Sequence, residues 1–135
     1  LFIADLDWFK RYNDRYGTAS GDLVLQKIGK TLQAQVAEHG EVLRCGGEEF
    51  ALVLPYNPAQ AEAFGEHVLQ AIRDLHLSHE DAPCGVITIS LGVALLAPTI
   101  HIEPTLWVSF ANLALYEAKD GGRNRLSVQV VPADV

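Results

Sequence analysis

The order in which two hydrophobic patterns follow one another constrains this chain most. Short apolar runs alternate with stretches in which apolar residues return every three or four positions. LFIA (Leu1 to Ala4) reads as a buried strand ending at Asp5. WFKRYNDRYG puts Phe9, Tyr12 and Tyr16 at helical spacing, which predicts a short helix before Gly17. TASG reads as a loop leading to Asp22 as a helix cap. Leu25, Ile28, Leu32 and Val36 then carry an amphipathic helix that Gly40 ends. EVLRC and FALVL are strand-like runs separated by GGEE, a hairpin signal, since glycine accepts the positive φ angles of tight turns. Asn57-Pro58 opens a helix with Ala61, Phe64, Val68, Ile72 and Leu75 inward. Ile87, Ile89, Leu91, Val93 and Leu95 alternate as a strand, and a last helix spans about Pro104 to Lys119 and stops at Gly121-Gly122. RLSVQVV is the final strand, closed by Pro132.

The first core elements therefore form a βαββαβ unit, an α+β, ferredoxin-like plan with an antiparallel sheet and helices on one face. A length of 135 residues suits one domain, 1–135, with one core. No apolar run approaches the roughly 20 residues of a membrane helix. LFIADL opens so abruptly that a longer parent protein is expected. A net charge of −7 argues against a nucleic-acid binder, because that binding rewards clustered Lys and Arg. Cys45 and Cys84 fit reduced thiols in a cytoplasmic protein better than a disulfide framework.

Asp5 is placed at the end of the first strand, and Glu48-Glu49 at the tip of the hairpin expected beside it. Carboxylates meeting at one sheet edge suit magnesium, which takes one or two of them plus substrate phosphate oxygens, and the backbone carbonyl of Leu6 can join. Side chains at Gly46 and Gly47 would fill the space a nucleotide needs. Each residue alone has a plainer reading. Glycines before solvated acids make an ordinary turn, Lys10 fits an exposed helix face, Asn13 fits a turn, and Lys119 and Arg123 fit a helix C-terminus. Alternation points Asp7 away from Asp5, so it is left out of the metal site. Trp8 and Phe9 read as core residues whose backbone amides can meet phosphate. IGKT lacks the first glycine of a P-loop. HLSHED (His76 to Asp81) reads as an ordinary loop, and Cys45 has no histidine nearby in sequence to make it a nucleophile.

Taken together the motifs resemble the GGDEF-domain family, the bacterial diguanylate cyclases. GGEEF matches its signature. ADLDWFKRYNDRYG resembles its D-x-D-x-F-K-x-x-N-D-x-x-G block, SGDLVL its G-D-x-x-L block, TISLGVA a later strand, and ALYEAKDGGRN its A-L-Y-x-A-K-x-x-G-R-N block. The resemblance implies a fold similar to nucleotide cyclase and polymerase palm domains. It implies condensation of two GTP molecules to cyclic di-GMP, with two magnesium or manganese ions per site and a homodimer that brings two sites face to face. Asp5, Leu6, Glu48 and Glu49 resemble the metal-binding set, with Glu48 and Glu49 also catalytic. Asn13 and Asp22 resemble the guanine-binding pair, and Lys10, Lys119 and Arg123 the triphosphate contacts. Trp8, Phe9, Gly46 and Gly47 complete the substrate-binding surface.

Departures matter as well. Many members carry an R-x-x-D inhibitory motif upstream of the glycines; here those positions hold Ala37, Glu38, His39 and Gly40, so feedback through that site is expected to be absent. The family's preceding D-x-L-T-x-L-x-N-R segment is absent, and an N-terminal sensor or receiver domain is expected in the parent protein. No membrane contact is expected of this domain. The competing readings are a GTP- or cyclic di-GMP-binding regulatory module without turnover, and a ferredoxin-like structural domain.

Overall fold

Alternation within β1 (Phe2–Leu6) sends its side chains to two different layers. Phe2, Ala4 and Leu6 join one apolar cluster, while Leu1 and Ile3 join another. The consecutive apolar letters of LFIA are what a strand covered on both faces requires. The computed structural model describes residues 1–133, so the last two positions of the expected 1–135 domain lie outside the described residues. Its order is β1, α1 (Phe9–Tyr16), α2 (Thr18–Val36), a 3₁₀ turn (Ala37–His39), β2 (Glu41–Arg44), β3 (Glu49–Val53), α3 (Pro58–Arg73), β4 (Ile89–Leu95), α4 (Pro104–Asp120) and β5 (Leu126–Val130).

The sheet runs β2-β3-β1-β4-β5. Its first four strands pair antiparallel, as the βαββαβ reading expects, while β5 adds parallel to β4 through α4. Ile28, Leu32 and Val36 of α2 and Phe64, Val68 and Ile72 of α3 cover one face. The expectation that helices lie on one face is corrected by α4, whose Ala111 and Leu115 pack with Leu1, Ile3 and Ala94 on the other. That packing is close. A Cβ on Gly92 of β4 would stand 2.3 Å from both the Ala111 carbonyl oxygen and the Leu115 nitrogen.

Several boundaries differ from expectation: Leu75 lies beyond α3, which ends at Arg73, and Ile87 lies before β4, which begins at Ile89. TASG is the first turn of α2 rather than a loop, with Gly17 at the cap position, so Asp22 lies inside the helix and caps nothing. Asp5 is followed by one more strand residue, Leu6. The Asn57 cap holds: its side chain accepts from the Gln60 amide at 2.8 Å, and Gln60 Oε1 accepts the Asn57 amide at 3.1 Å. Among the described residues no helix is long and apolar enough to cross a membrane.

The α4–β4 contact predicts that Gly92→Ala destabilises the fold by about 1–3 kcal/mol, the usual cost of overpacking. Gly47→Ala, whose Cβ meets nothing within 4 Å, should stay within about 0.5 kcal/mol of the parent. Urea denaturation of both variants checks the contrast.

Candidate active site

Strand register puts three polar side chains in one row. Asp5 of β1 lies opposite Glu49 of β3 on one side and Ser90 of β4 on the other. All three share the face that α4 covers. From α4, one turn beyond Leu115, Lys119 Nζ reaches Asp5 Oδ1 at 3.0 Å. Asp5 is only 5% exposed. Burial lifts its carboxyl to about 6; Lys119 pulls it down, and neighbouring Glu49 pushes it up. Its Oδ1 has a charge partner in Lys119 but no well-aligned hydrogen bond.

Glu48 sits at the hairpin end of β3, where its carbonyl accepts the Leu6 amide at 3.3 Å. Partial burial raises its carboxyl, the charge of Asp5 raises it further, and Lys119 opposes both. The sequence thus brings Asp5, Leu6, Glu48 and Glu49 to one place. Among the described residues no group of three or more His, Cys, Asp or Glu side chains forms a ready cation cage. An open site of this kind fits magnesium, which keeps waters and takes substrate oxygens. An under-bonded buried carboxylate oxygen beside a second carboxylate is the observation that supports the fit.

Of the two reasons expected for the glycines, turn conformation and space, the first fails. Cys45 to Glu48 form a four-residue connection, and neither Gly46 nor Gly47 has positive φ. A Cβ on Gly46 would make only ordinary contact with Glu49, and one on Gly47 would meet nothing. What the glycines provide is bare space above the acids. Arg44, which the sequence reading passed over, shapes the turn by donating Nε to the Gly46 carbonyl at 3.2 Å and Nη2 to the Gly47 carbonyl at 2.8 Å.

On the other side of β1, Asn13 of α1 meets the start of α2. Its Oδ1 is buried and unpartnered, and a Cβ on Gly21 would stand 1.9 Å from it. Gly21 therefore makes room for Asn13 one residue before exposed Asp22. Lys10 is exposed in the first turn of α1. Phe9 is core, as expected, and stacks on Tyr12. Trp8 is not. Its half-buried ring lies between Arg11 and Arg123, with guanidinium carbons 4.2 and 4.1 Å from the ring centroid.

The expectation that alternation turns Asp7 away from Asp5 is corrected, because residues two apart on a strand share a face. Asp7 accepts from Ser90, the cross-strand neighbour of Asp5, within a buried set of donors: Thr88 Oγ1 at 2.7 Å, Ser90 Oγ at 2.6 Å and the Asn124 amide at 2.9 Å. His79 of the HLSHED loop is fully buried, with Nε2 2.9 Å from the Trp8 carbonyl. It buttresses the β1–α1 turn. Nothing in the one-dimensional pattern of HLSHED signals that role, since the partner is a backbone atom 71 residues away.

Comparisons with known proteins show what the chain and its fold are similar to. A family model described as "Diguanylate cyclase, GGDEF domain" matches residues 1–125. The chain is 33% identical over 129 residues to "Diguanylate cyclase A" of Treponema denticola, covering 95% of this chain and 34% of the relative. It is 36% identical over 129 residues to "Diguanylate cyclase VdcA" of Vibrio cholerae, covering 93% and 38%. The chain thus spans little more than a third of these relatives' length. An active GGEEF domain of a diguanylate cyclase from Vibrio cholerae superposes with a TM-score of 0.78 at 29% identity, covering 94% of this chain and 80% of that one. The GGDEF domain of DgcB from Caulobacter crescentus, in complex with c-di-GMP, gives 0.77 at 27%, covering 94% and 75%.

The Asp5 environment predicts a pH dependence of the metal-free chain. A carboxyl raised from 3.8 to about 6 keeps its proton in the folded state after the unfolded chain has lost it. Stability from this group is therefore present below about pH 4 and lost as pH rises through about 6. The Leu1 ammonium, pulled down to about 6 by burial, works in the opposite sense, so the comparison is made with Asp5→Asn. In EDTA the variant should melt higher than the parent above pH 6, with the gap closing toward pH 4. A gap that does not change with pH would contradict the account.

Proposed function

Because the chain belongs to the GGDEF-domain family of diguanylate cyclases, we propose that it condenses two GTP molecules into cyclic di-GMP with release of two pyrophosphates. The observation that carries this reading is the meeting of Asp5, Glu48 and Glu49 beside Lys119 at one end of the sheet. Each ribose 3′-hydroxyl attacks the α-phosphorus of the other GTP. A new O–P bond forms, the bond to the β-phosphate bridging oxygen breaks, and pyrophosphate leaves with that electron pair.

Asp5, Glu48 and the Leu6 carbonyl, supported by Glu49, would hold two magnesium or manganese ions. When bound, such ions stabilise the charge of the attacking and leaving oxygens. Glu48 accepts the hydroxyl proton, a role helped by a carboxyl pushed toward neutrality. Lys10, Lys119 and Arg123 bind the triphosphate, so a few placed cations serve a chain of net charge −7. The backbone amides of Trp8 and Phe9 add to them, since the first amides of a helix have no partner within it. Asp22 accepts from guanine N1–H and the exocyclic amine, and Asn13 meets the adjacent edge. Adenine lacks those donors, and each buried polar group left unpaired costs about 1–3 kcal/mol. GTP is preferred over ATP for that reason.

Two copies of the domain supply the two substrates, and in the parent protein a sensor or receiver segment brings them together. The chain's share of its relatives' length is consistent with such further segments. Product inhibition takes a restricted form. Ala37 and Gly40 stand where an arginine and an aspartate would act, and a Cβ at Gly40 would come 2.0 Å from the Val53 carbonyl oxygen. An acidic side chain has no room there.

Incubation with GTP and magnesium at two protein concentrations tests the reading. Specific activity should rise with concentration, because the reaction joins substrates on two copies. Glu48→Gln should lower turnover at least about a thousandfold, the scale of losing a general base and a metal ligand together. Binding of GTP without any pyrophosphate release would favour a regulatory module instead. Cyclic di-GMP should compete with GTP in a titration, and simultaneous binding of both would sink the single-pocket account.

A further inference from the structure

Consecutive residues of the β1–α1 turn grip consecutive residues of the α4–β5 loop. The Asp7 carboxylate, 2% exposed, accepts the Asn124 amide, and the Trp8 ring carries the Arg123 guanidinium. Three of these four residues have left-handed backbones: Trp8 at φ 57°, Arg123 at 64° and Asn124 at 52°. Such a conformation is unfavourable for a residue with a side chain, least for asparagine, and persists only where its surroundings impose it.

The surroundings here are specific. Asp7 is fixed by the Thr88 and Ser90 hydroxyls, so it offers Asn124 a rigid acceptor. From the opposite side Arg73 of α3 donates Nε to Asn124 Oδ1 at 2.8 Å and Nη2 to the Asn124 carbonyl at 3.1 Å. The Arg123 amide donates to the Ala118 carbonyl at 3.0 Å, closing α4 behind Lys119. The loop is thereby pinned from three elements, and its Arg123 guanidinium lies over Trp8.

We propose that Asp7 is a positioning residue for Arg123: through the Asn124 amide it holds the α4–β5 loop so that the guanidinium rests on Trp8, preset for an anionic ligand. The consequence for a triphosphate rests on the function proposed above; the placement of Arg123 does not. A plain anchoring role, tying β1 to β4, would leave Arg123 no more affected than any other surface side chain.

Two measurements separate these roles. In NMR spectra the Trp8 ring current shifts the Arg123 side-chain protons upfield. Asp7→Asn should return them to ordinary values while amide dispersion elsewhere persists; unchanged shifts would overturn the proposal. Calorimetric titration then compares a non-hydrolysable GTP analogue with guanosine. Asp7→Asn should weaken the triphosphate roughly tenfold, the scale of one charge-assisted contact, and leave guanosine unchanged. The same change added to Arg123→Ala should cost nothing more. Equal losses for both ligands, or additive losses in the double variant, would overturn it. If the parent chain binds neither ligand, the GTP reading fails and the NMR result alone decides the placement. Should Asp7→Asn not fold, Arg73→Gln frees Asn124 from the other side and is carried through both measurements, with the same outcomes deciding.

Discussion

Two carboxylates set directly opposite each other on neighbouring strands repel, and burying one of them makes the repulsion worse. Asp5 and Glu49 are such a pair, in the middle of the sheet and under α4. Positive charge must come from somewhere. Lys119 supplies part of it, and its reach depends on how closely α4 lies on β4, which Gly92 and the small residues Ala111, Ala114 and Ala118 permit. Even so, Asp5 keeps an oxygen without a well-aligned hydrogen bond and a carboxyl at about 6. A site left this unsatisfied by its own residues is suited to a divalent ion arriving with a phosphate ester.

The two aspartates of ADLD share a strand face, and their partners divide their labour. Asp5 keeps an oxygen without a well-aligned hydrogen bond, and Asp7 accepts from three donors. Around them the proposed site would draw on separate parts of the fold. The α1–α2 junction holds Asn13 and Asp22, the hairpin holds Glu48 and Glu49, and α4 with its following loop holds Lys119 and Arg123. His79 props the turn that connects the first of these to β1.

Much of this was legible in the sequence. Periodicity and short apolar runs located the helices and strands, Asp5 and the hairpin acids suggested a magnesium site, and the family resemblance implied the triphosphate role of the basic residues. What escaped the reading was tertiary. TASG looks like a loop because its residues are small and polar, yet it forms the first turn of α2, with Gly21 leaving room for Asn13 Oδ1. For the glycines of GGEE a φ reading stood beside a space reading, and only the φ reading fails. Trp8 looks like core and instead lies between two guanidinium groups. The unbroken apolarity of LFIA asks for cover on both sides, which α4 supplies and the one-face reading missed. Arg44 and His79 act on backbone carbonyls, and such partners leave no mark in residue type.

The central claim is that Asp5 and the hairpin acids hold divalent ions together with a nucleotide. Electron paramagnetic resonance of free manganese, titrated into the chain with a non-reactive GTP analogue, measures that most directly. The account predicts two manganese ions bound per chain, displaced by magnesium, with binding lost in Asp5→Asn while circular dichroism stays unchanged. Manganese binding of equal strength in that variant would contradict it.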